Sequence, residues 1–262
     1  MSTSNASDYL KHNDLMQKEV FEKLVSKLGV NTGFRCLDVG CGPGNLTKLL
    51  VDLVGKDGYV LGIDPDEGRI NLAKEAFSQV PNLDFICING GNMETDLQHF
   101  DIVCSNFVLH WMKNEEKWKT IQNVFTLLKP GGTFGFCCLL QLPKGAKHIY
   151  NFVEDKEKVA HIMNAEYSSL NEYKEKVSQY MFEIVEIQTI EHITAFQTLD
   201  QLLSWMNASA NCNIDIFELY EKHKTDIKFE QNQNGEYLKR FKLIEVLVKK
   251  PNNHKNDVGA LA

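Results

Sequence analysis

The chain has 262 residues, of which 43% are hydrophobic and 24% charged, an ordinary globular composition that excludes disordered, collagen-like and coiled-coil chains. Its 28 Lys and Arg against 35 Asp and Glu give a formal net charge of −7, and Arg35, Arg69 and Arg240 are too few and too scattered for a phosphate clamp, so a nucleic-acid substrate is disfavoured. No apolar run at the amino terminus resembles a signal peptide and no stretch is long enough to span a bilayer, so a cytoplasmic protein with one core is expected.

In chain order, Leu10, Leu15, Phe21, Leu24, Val25 and Leu28 recur at mostly helical spacing before Gly29, which predicts an amino-terminal helix. Phe34–Val39 is a short apolar strand that ends in a glycine cluster, and Asn45–Val54 reads as the amphipathic helix that follows. The unit then repeats: strand at Tyr59–Ile63, helix at Glu67–Phe77, strands at Leu83–Ile88 and Ile102–Ser105, helix at Glu115–Leu128. Lys129-Pro130-Gly131-Gly132 stops that helix, and Thr133–Leu140 is a further apolar strand. Beyond it come a Lys/Glu-rich helical stretch over about 145–180, a strand at Phe182–Phe196, a helix at Leu199–Tyr220 and a last strand at Phe241–Val248. Alternating strands and helices predict an α/β, doubly wound, mostly parallel seven-stranded sheet.

Residues 1–250 are expected to form one domain, with 8–30 as a lid helix, 141–230 as helical additions on the substrate side and 251–262 as a flexible tail. Cys36, Cys87, Cys104, Cys137 and Cys138 lie in apolar runs and read as buried, reduced thiols. No Cys/His spacing points to a metal.

The most informative segment is Asp38-Val39-Gly40-Cys41-Gly42-Pro43-Gly44. Glycines there let backbone approach a ligand at the carboxyl edge of a sheet, where α/β folds bind small molecules. The spacing is Gly-x-Gly-x-Gly, neither the dinucleotide pattern Gly-x-Gly-x-x-Gly nor a P-loop. An adjacent Asp38 repels a diphosphate and attracts a cationic amine, so a positively charged ligand is expected. Asp64, which closes the second strand, is placed to accept both hydroxyls of a ribose, a feature that alone does not separate a nicotinamide cofactor from S-adenosylmethionine.

The segment from Asp38 to Gly44 resembles the first motif of class I S-adenosylmethionine-dependent methyltransferases, and the likeness extends over about residues 8–250, strongest through 140. The resemblance implies a Rossmann-like fold with S-adenosyl-L-methionine as cofactor. It implies that Asp38, Gly40, Gly42 and Gly44 hold the methionine part and that Asp64 holds the ribose. Where related chains commonly have Gly-Asp-Ala beside the adenine, this one has Gly90-Gly91-Asn92-Met93, so Asn92 is expected to accept from the adenine amino group and Met93 to pack on the ring. Ser105, at the end of the fourth strand, is a further candidate for the cofactor site.

Leu109-His110-Trp111 after the fourth strand, with Tyr9, Asn13 and Gln17 on one helix face, resembles the juvenile hormone acid methyltransferases and, more loosely, the trans-aconitate methyltransferases, both of which methylate carboxylates. The likeness implies O-methylation of a small, apolar carboxylic acid such as a juvenile hormone acid- or farnesoic acid-like molecule. Gln17 and the indole N–H of Trp111 then hold the two carboxylate oxygens. A carboxylate acceptor needs no base, whereas a hydroxyl acceptor makes His110 the residue to suspect, and shaping the pocket is an equal alternative for that histidine. His148 and His161 lie in a region that can reach a substrate, and Phe152, Met163, Tyr167, Trp205 and Met206 suit either a cover over an apolar pocket or the core of the added helices. A protein or RNA acceptor, a catalytically silent binding protein and a nucleotide-dependent oxidoreductase remain the alternatives.

Overall fold

A computed structural model describes residues 14–93, 99–209 and 214–252. Tyr9, Asn13 at the start of the expected lid helix, and most of the expected tail lie outside the described residues. The described part of the first helix, α1 (Asp14–Leu28), turns Val20, Phe21, Leu24 and Leu28 inward. It packs against the strands over Phe100–Asn106 and Leu128–Leu139, and so stands beside the edge where the glycine turn lies.

The elements that follow are β1 (Arg35–Val39), α2 (Thr47–Val54), β2 (Tyr59–Asp64), α3 (Glu67–Ala76), β3 (Leu83–Cys87), β4 (Phe100–Asn106), α4 (Asn114–Leu127) and β5 (Leu128–Leu139). After them come α5 (Lys144–Tyr150), α6 (Ala160–Met163), α7 (Leu170–Gln179), β6 (Glu183–Phe196), α8 (Leu199–Ser209), α9 (Ile216–His223), β7 (Glu230–Gln231) and β8 (Tyr237–Lys249). The sheet runs β3-β2-β1-β4-β5-β8-β6, with the two-residue β7 paired to β8 off this path. Pairing is parallel from β3 through β5, and β8 is antiparallel to both β5 and β6. Chain order reverses between β1 and β4, and such a switch point opens a crevice at the carboxyl ends of the strands.

The central strands are buried on both sides, because helices cover both faces, so they read as continuous apolar runs. One apolar cluster joins Phe21, Leu24, Leu50, Ile70 and Cys104; the other joins Leu37, Ile63, Ile121, Phe134 and Val246. Cys36, Cys41, Cys104, Cys137 and Cys138 are free and buried, whereas Cys87 is free but exposed. The expectation for Cys87 is thus corrected: it ends the edge strand β3, where one side has no paired strand among the described residues.

Three departures from the sequence reading concern the carboxyl-terminal half. Lys129–Gly132 does not separate helix from strand but already belongs to β5, held by mutual backbone bonds of 2.9 Å between Gly131 and Lys250 and between Lys250 and Gly132. The helical stretch over 145–180 is broken into short pieces, and a buried Lys117 accounts for part of the break. Its Nζ donates to Asn114 Oδ1 and Ser168 Oγ at 2.9 Å each, and also to the Glu166 carbonyl, pinning irregular backbone to α4. The helix expected over Leu199–Tyr220 is two helices, because Asp215 caps a new start by accepting from Phe217 N and Glu218 N at 2.9 and 3.1 Å.

β8 is longer than expected, and its length matters for the site. Leu243 pairs with Leu139 at the end of β5, so Tyr237 to Phe241 project past the carboxyl edge and pair with β6 alone or with β7. The β6–β8 ribbon therefore forms a wall above the crevice.

Candidate active site

A cavity of about 550 Å³ opens at the carboxyl edge of the sheet, a size usual for small-molecule sites. Its floor is the turn after β1. Gly40 N and Cys41 N donate to the Ile63 carbonyl at 2.7 and 2.9 Å, and Gly42 N donates to Asp64 Oδ2 at 3.0 Å, which fastens the turn to the end of β2. Gly40 has φ +80°, and a Cβ there would stand 2.2 Å from Val108 Cγ2, so only glycine lets the turn meet the exit of β4.

Asp38 lies beneath the turn at 3% exposure, and its Oδ2 accepts from Thr47 Oγ1 at 2.7 Å. Burial raises its pKa to about 6, against the opposing hydrogen bonds from Thr47 and Cys104 and with a further push from Asp64. Burial also raises the Asp64 carboxyl. Asp64 Oδ1 accepts from Asp66 N at 2.9 Å, and since each carboxylate oxygen has two lone pairs, acceptor capacity remains for hydroxyls.

The opposite rim is the exit of β4. Asn106 Nδ2 donates to the Gln17 carbonyl at 3.0 Å, while Asn106 Oδ1 is buried with no partner among the described residues. Phe107 follows at φ +58°, a left-handed conformation that costs a non-glycine residue about 1–2 kcal/mol and that tends to occur where function requires it. His110 is 1% exposed, its Nδ1 accepts from Leu139 N at 3.4 Å, and burial, helped by the charge of Lys117, depresses its pKa to about 3. Trp111 is 45% exposed on the cavity wall, with its ring 4.9 Å from His110 and 6.2 Å from His161.

Of the residues singled out in the sequence, the structure brings Gln17, Asp38, Gly40, Gly42, Asp64, and the pair His110 and Trp111, together on this wall. Gly44 is not on it; a Cβ there would stand 2.6 Å from Phe85 Cζ, so the residue serves close packing behind the turn. Ser105 is buried and donates to the Val39 carbonyl at 2.9 Å, tying β4 to β1 away from the wall. Asn92 is exposed at the end of a short turn, and Met93 is buried in the second apolar cluster; neither reaches the wall. His148 meets the Asp226 carbonyl at 3.0 Å outside the cavity, whereas His161, Trp205 and Met206 line it, and Phe152, Met163 and Tyr167 pack against the core. Asn106 and Lys239 line the cavity without having been singled out. Among the described residues no group of three or more His, Cys, Asp or Glu is arranged to hold a metal ion, and no helix is long and apolar enough to cross a membrane.

The family described as methyltransferase domain matches residues 36–132, the stretch from β1 into β5 that contains the glycine turn and the exit of β4. Over residues 36–132 the chain is similar to a methyltransferase domain. The parallel order β3-β2-β1-β4-β5 runs through this matched stretch, and the antiparallel β8 lies beyond it. The chain is 33% identical over 135 residues to demethylmenaquinone methyltransferase of Symbiobacterium thermophilum, covering 49% of this chain and 53% of the relative. It is 27% identical over 139 residues to trans-aconitate 2-methyltransferase of Rhizobium leguminosarum, covering 53% of this chain and 50% of that one. The matches thus span about half the length of the curated relatives. The fold matches phosphoethanolamine N-methyltransferase 2 of Haemonchus contortus in complex with S-adenosyl-L-methionine, with TM-score 0.57 and 16% identity over 89% of this chain and 52% of that one.

The residues present fit this cofactor. A cationic amine answers both the buried Asp38 carboxylate and Asn106 Oδ1, two acceptors that have no positive neighbour among the described residues.

Proposed function

We propose that the whole protein is an S-adenosylmethionine-dependent methyltransferase that esterifies a small, apolar carboxylic acid. One observation carries the choice of acceptor: the histidine at the exit of β4 is buried with its Nδ1 taken up by the Leu139 N–H, and burial also depresses its pKa, which leaves it poorly placed to take a proton from a hydroxyl. A carboxylate is already ionised and needs no base. The name of the trans-aconitate relative also points to a carboxylate, and the negative net charge agrees with a small-molecule rather than a nucleic-acid acceptor.

When bound, S-adenosylmethionine supplies an electrophilic methyl group on a cationic sulfur. In this reading Asp38 and Asn106 hold the amine, the Gly40–Gly42 turn lies along the methionine part, and Asp64 accepts from the ribose hydroxyls. Ser105 is proposed as support of the β4 exit, and Asn92 and Met93, which stand off the cavity, take no part. Gln17 and the indole N–H of Trp111 orient the acceptor carboxylate. Apolar side chains of the 141–230 additions, among them Ile162, Trp205 and Met206, exclude water, which strengthens every charge interaction inside. Charge is neutralised during the transfer, so alignment and dryness suffice.

His110 then shapes the pocket and moves no proton. His110→Asn, which keeps an acceptor for Leu139 N, is expected to leave kcat within about tenfold, whereas removal of a general base costs about 10²–10⁴-fold. Initial rates with a panel of apolar carboxylic acids, farnesoic acid among them, and with the matching alcohols check both points. Label transfer to esters with a mild His110→Asn effect supports the reading; transfer to alcohols alone, abolished in that variant, overturns it.

A further inference from the structure

The cavity is electrically lopsided. Asp38, Asp64, Asp66 and Arg69 line the cofactor end, while the far wall is mostly apolar, with Tyr150, His161 and Lys239 as polar groups, the last contributed by β8 from its overhang beyond β5. Lys239 is 5% exposed, and its Nζ has no hydrogen-bond partner among the described residues. The ring of Trp205 lies 6.0 Å from Nζ, at the limit of a cation–π contact. Strand alternation puts Lys239 on the same buried face as Phe241 and Leu243, opposite the outward Arg240 and Lys242, so the inward lysine is fixed by register.

A second polar atom lies alongside. Thr194 of β6 pairs directly with Lys239, so their side chains share one face of the ribbon, and Thr194 Oγ1 is also buried without a described partner. Lys239 lines the cavity whereas Thr194 does not, and a buried ammonium without a partner costs stability unless a ligand meets it.

We infer that Lys239 is the counter-ion for the carboxylate of the acceptor, and selects anionic apolar acids over neutral or cationic molecules. The inference rests on the methyltransferase reading for what happens to that acid, though not for its binding. Burial lowers the lysine to about 7, so it readily sheds its charge, and a carboxylate beside it favours the charged form. An amine acceptor meets only a repelling or neutral group there. An ester product no longer carries the charge that Lys239 pairs with, which favours its departure over retention.

Calorimetry near neutral pH, with protein saturated by S-adenosylhomocysteine, tests this using decanoic acid and decan-1-ol as probes. The intact protein and Lys239→Arg are expected to bind the acid at least about tenfold tighter than the alcohol, the scale of one charge-assisted hydrogen bond. Lys239→Met, which keeps an apolar stem of similar length, is expected to bind both alike while its affinity for S-adenosylhomocysteine stays unchanged. Equal binding of acid and alcohol by the intact protein overturns the inference, as does a preference that survives in Lys239→Met. Loss of S-adenosylhomocysteine binding in Lys239→Met alone also overturns it, assigning the ammonium to the carboxylate of the cofactor. Should the intact protein itself fail to bind S-adenosylhomocysteine, the methyltransferase reading falls, and the same comparison of probes on the free protein still decides the role of Lys239.

Discussion

Asp38→Asn is expected to stabilise the ligand-free protein while lowering its affinity for S-adenosylmethionine at least about 100-fold. The two effects have one origin. Burial raises this carboxyl from 3.8 to about 6, so between those values the folded chain holds a proton that the unfolded chain has released. Stability therefore falls as pH rises through that window, and above it the ionised, buried group costs on the order of 3 kcal/mol, at about 1.4 kcal/mol per pKa unit. Asparagine removes that cost and still offers an oxygen to Thr47 Oγ1. It also removes the charge that answers a cationic amine, and loss of one member of a desolvated pair costs about 3–5 kcal/mol of binding. Thermal melts at neutral and at acid pH are expected to show the variant ahead of the parent at neutral pH and level with it near pH 4. A variant that melts lower at neutral pH with unaltered cofactor affinity contradicts this account of Asp38.

Gly40→Ala is the second large effect, and it works through packing. The residue needs a positive φ, and the added Cβ would overlap Val108, whose Cβ itself is only 2.9 Å from the new atom. Val108 leads into the Leu109–Trp111 turn, so relief of the clash moves His110 and Trp111 away from the floor of the cavity. A misplacement of about 1 Å costs on the order of 100-fold in rate, and strain at φ > 0 adds about 1 kcal/mol of instability. Val108→Ala added to Gly40→Ala removes the Cγ atoms that stand nearest and is expected to recover part of the activity. Full activity in Gly40→Ala alone rules out the coupling between the glycine turn and the exit of β4.

Much of the cofactor half was legible in the sequence because its signals are local. The first two strands are apolar runs bounded by glycine or proline, with Asp38 and Asp64 at their carboxyl ends and Gly40 and Gly42 just after the first, so topology alone carries them to one edge. Gly44 belongs to the same motif yet acts behind the turn, since spacing does not tell a glycine that faces a ligand from one that admits Phe85. Asn106 was overlooked in favour of its neighbour Ser105 because alternation along β4 depends on where the strand ends, and Ser105 points to Val39. Lys239 was hidden in the charged run Lys239-Arg240-Phe241-Lys242, which reads as a solvated edge when the strand is started at Phe241. Begun at Tyr237, the alternation places it inward. The acceptor half was least legible, because its helices are short and their breaks are set by distant partners such as Lys117 with Glu166 and Ser168.

The central claim is that Asp38, the glycine turn and Asp64 form a site for S-adenosylmethionine. Titration calorimetry of the intact protein, repeated with Asp38→Ala and Asp64→Ala, tests it most directly. Binding in the micromolar range, about −8 kcal/mol, that is lost in both variants is the expected result. A folded intact protein that takes up no S-adenosylmethionine contradicts the claim.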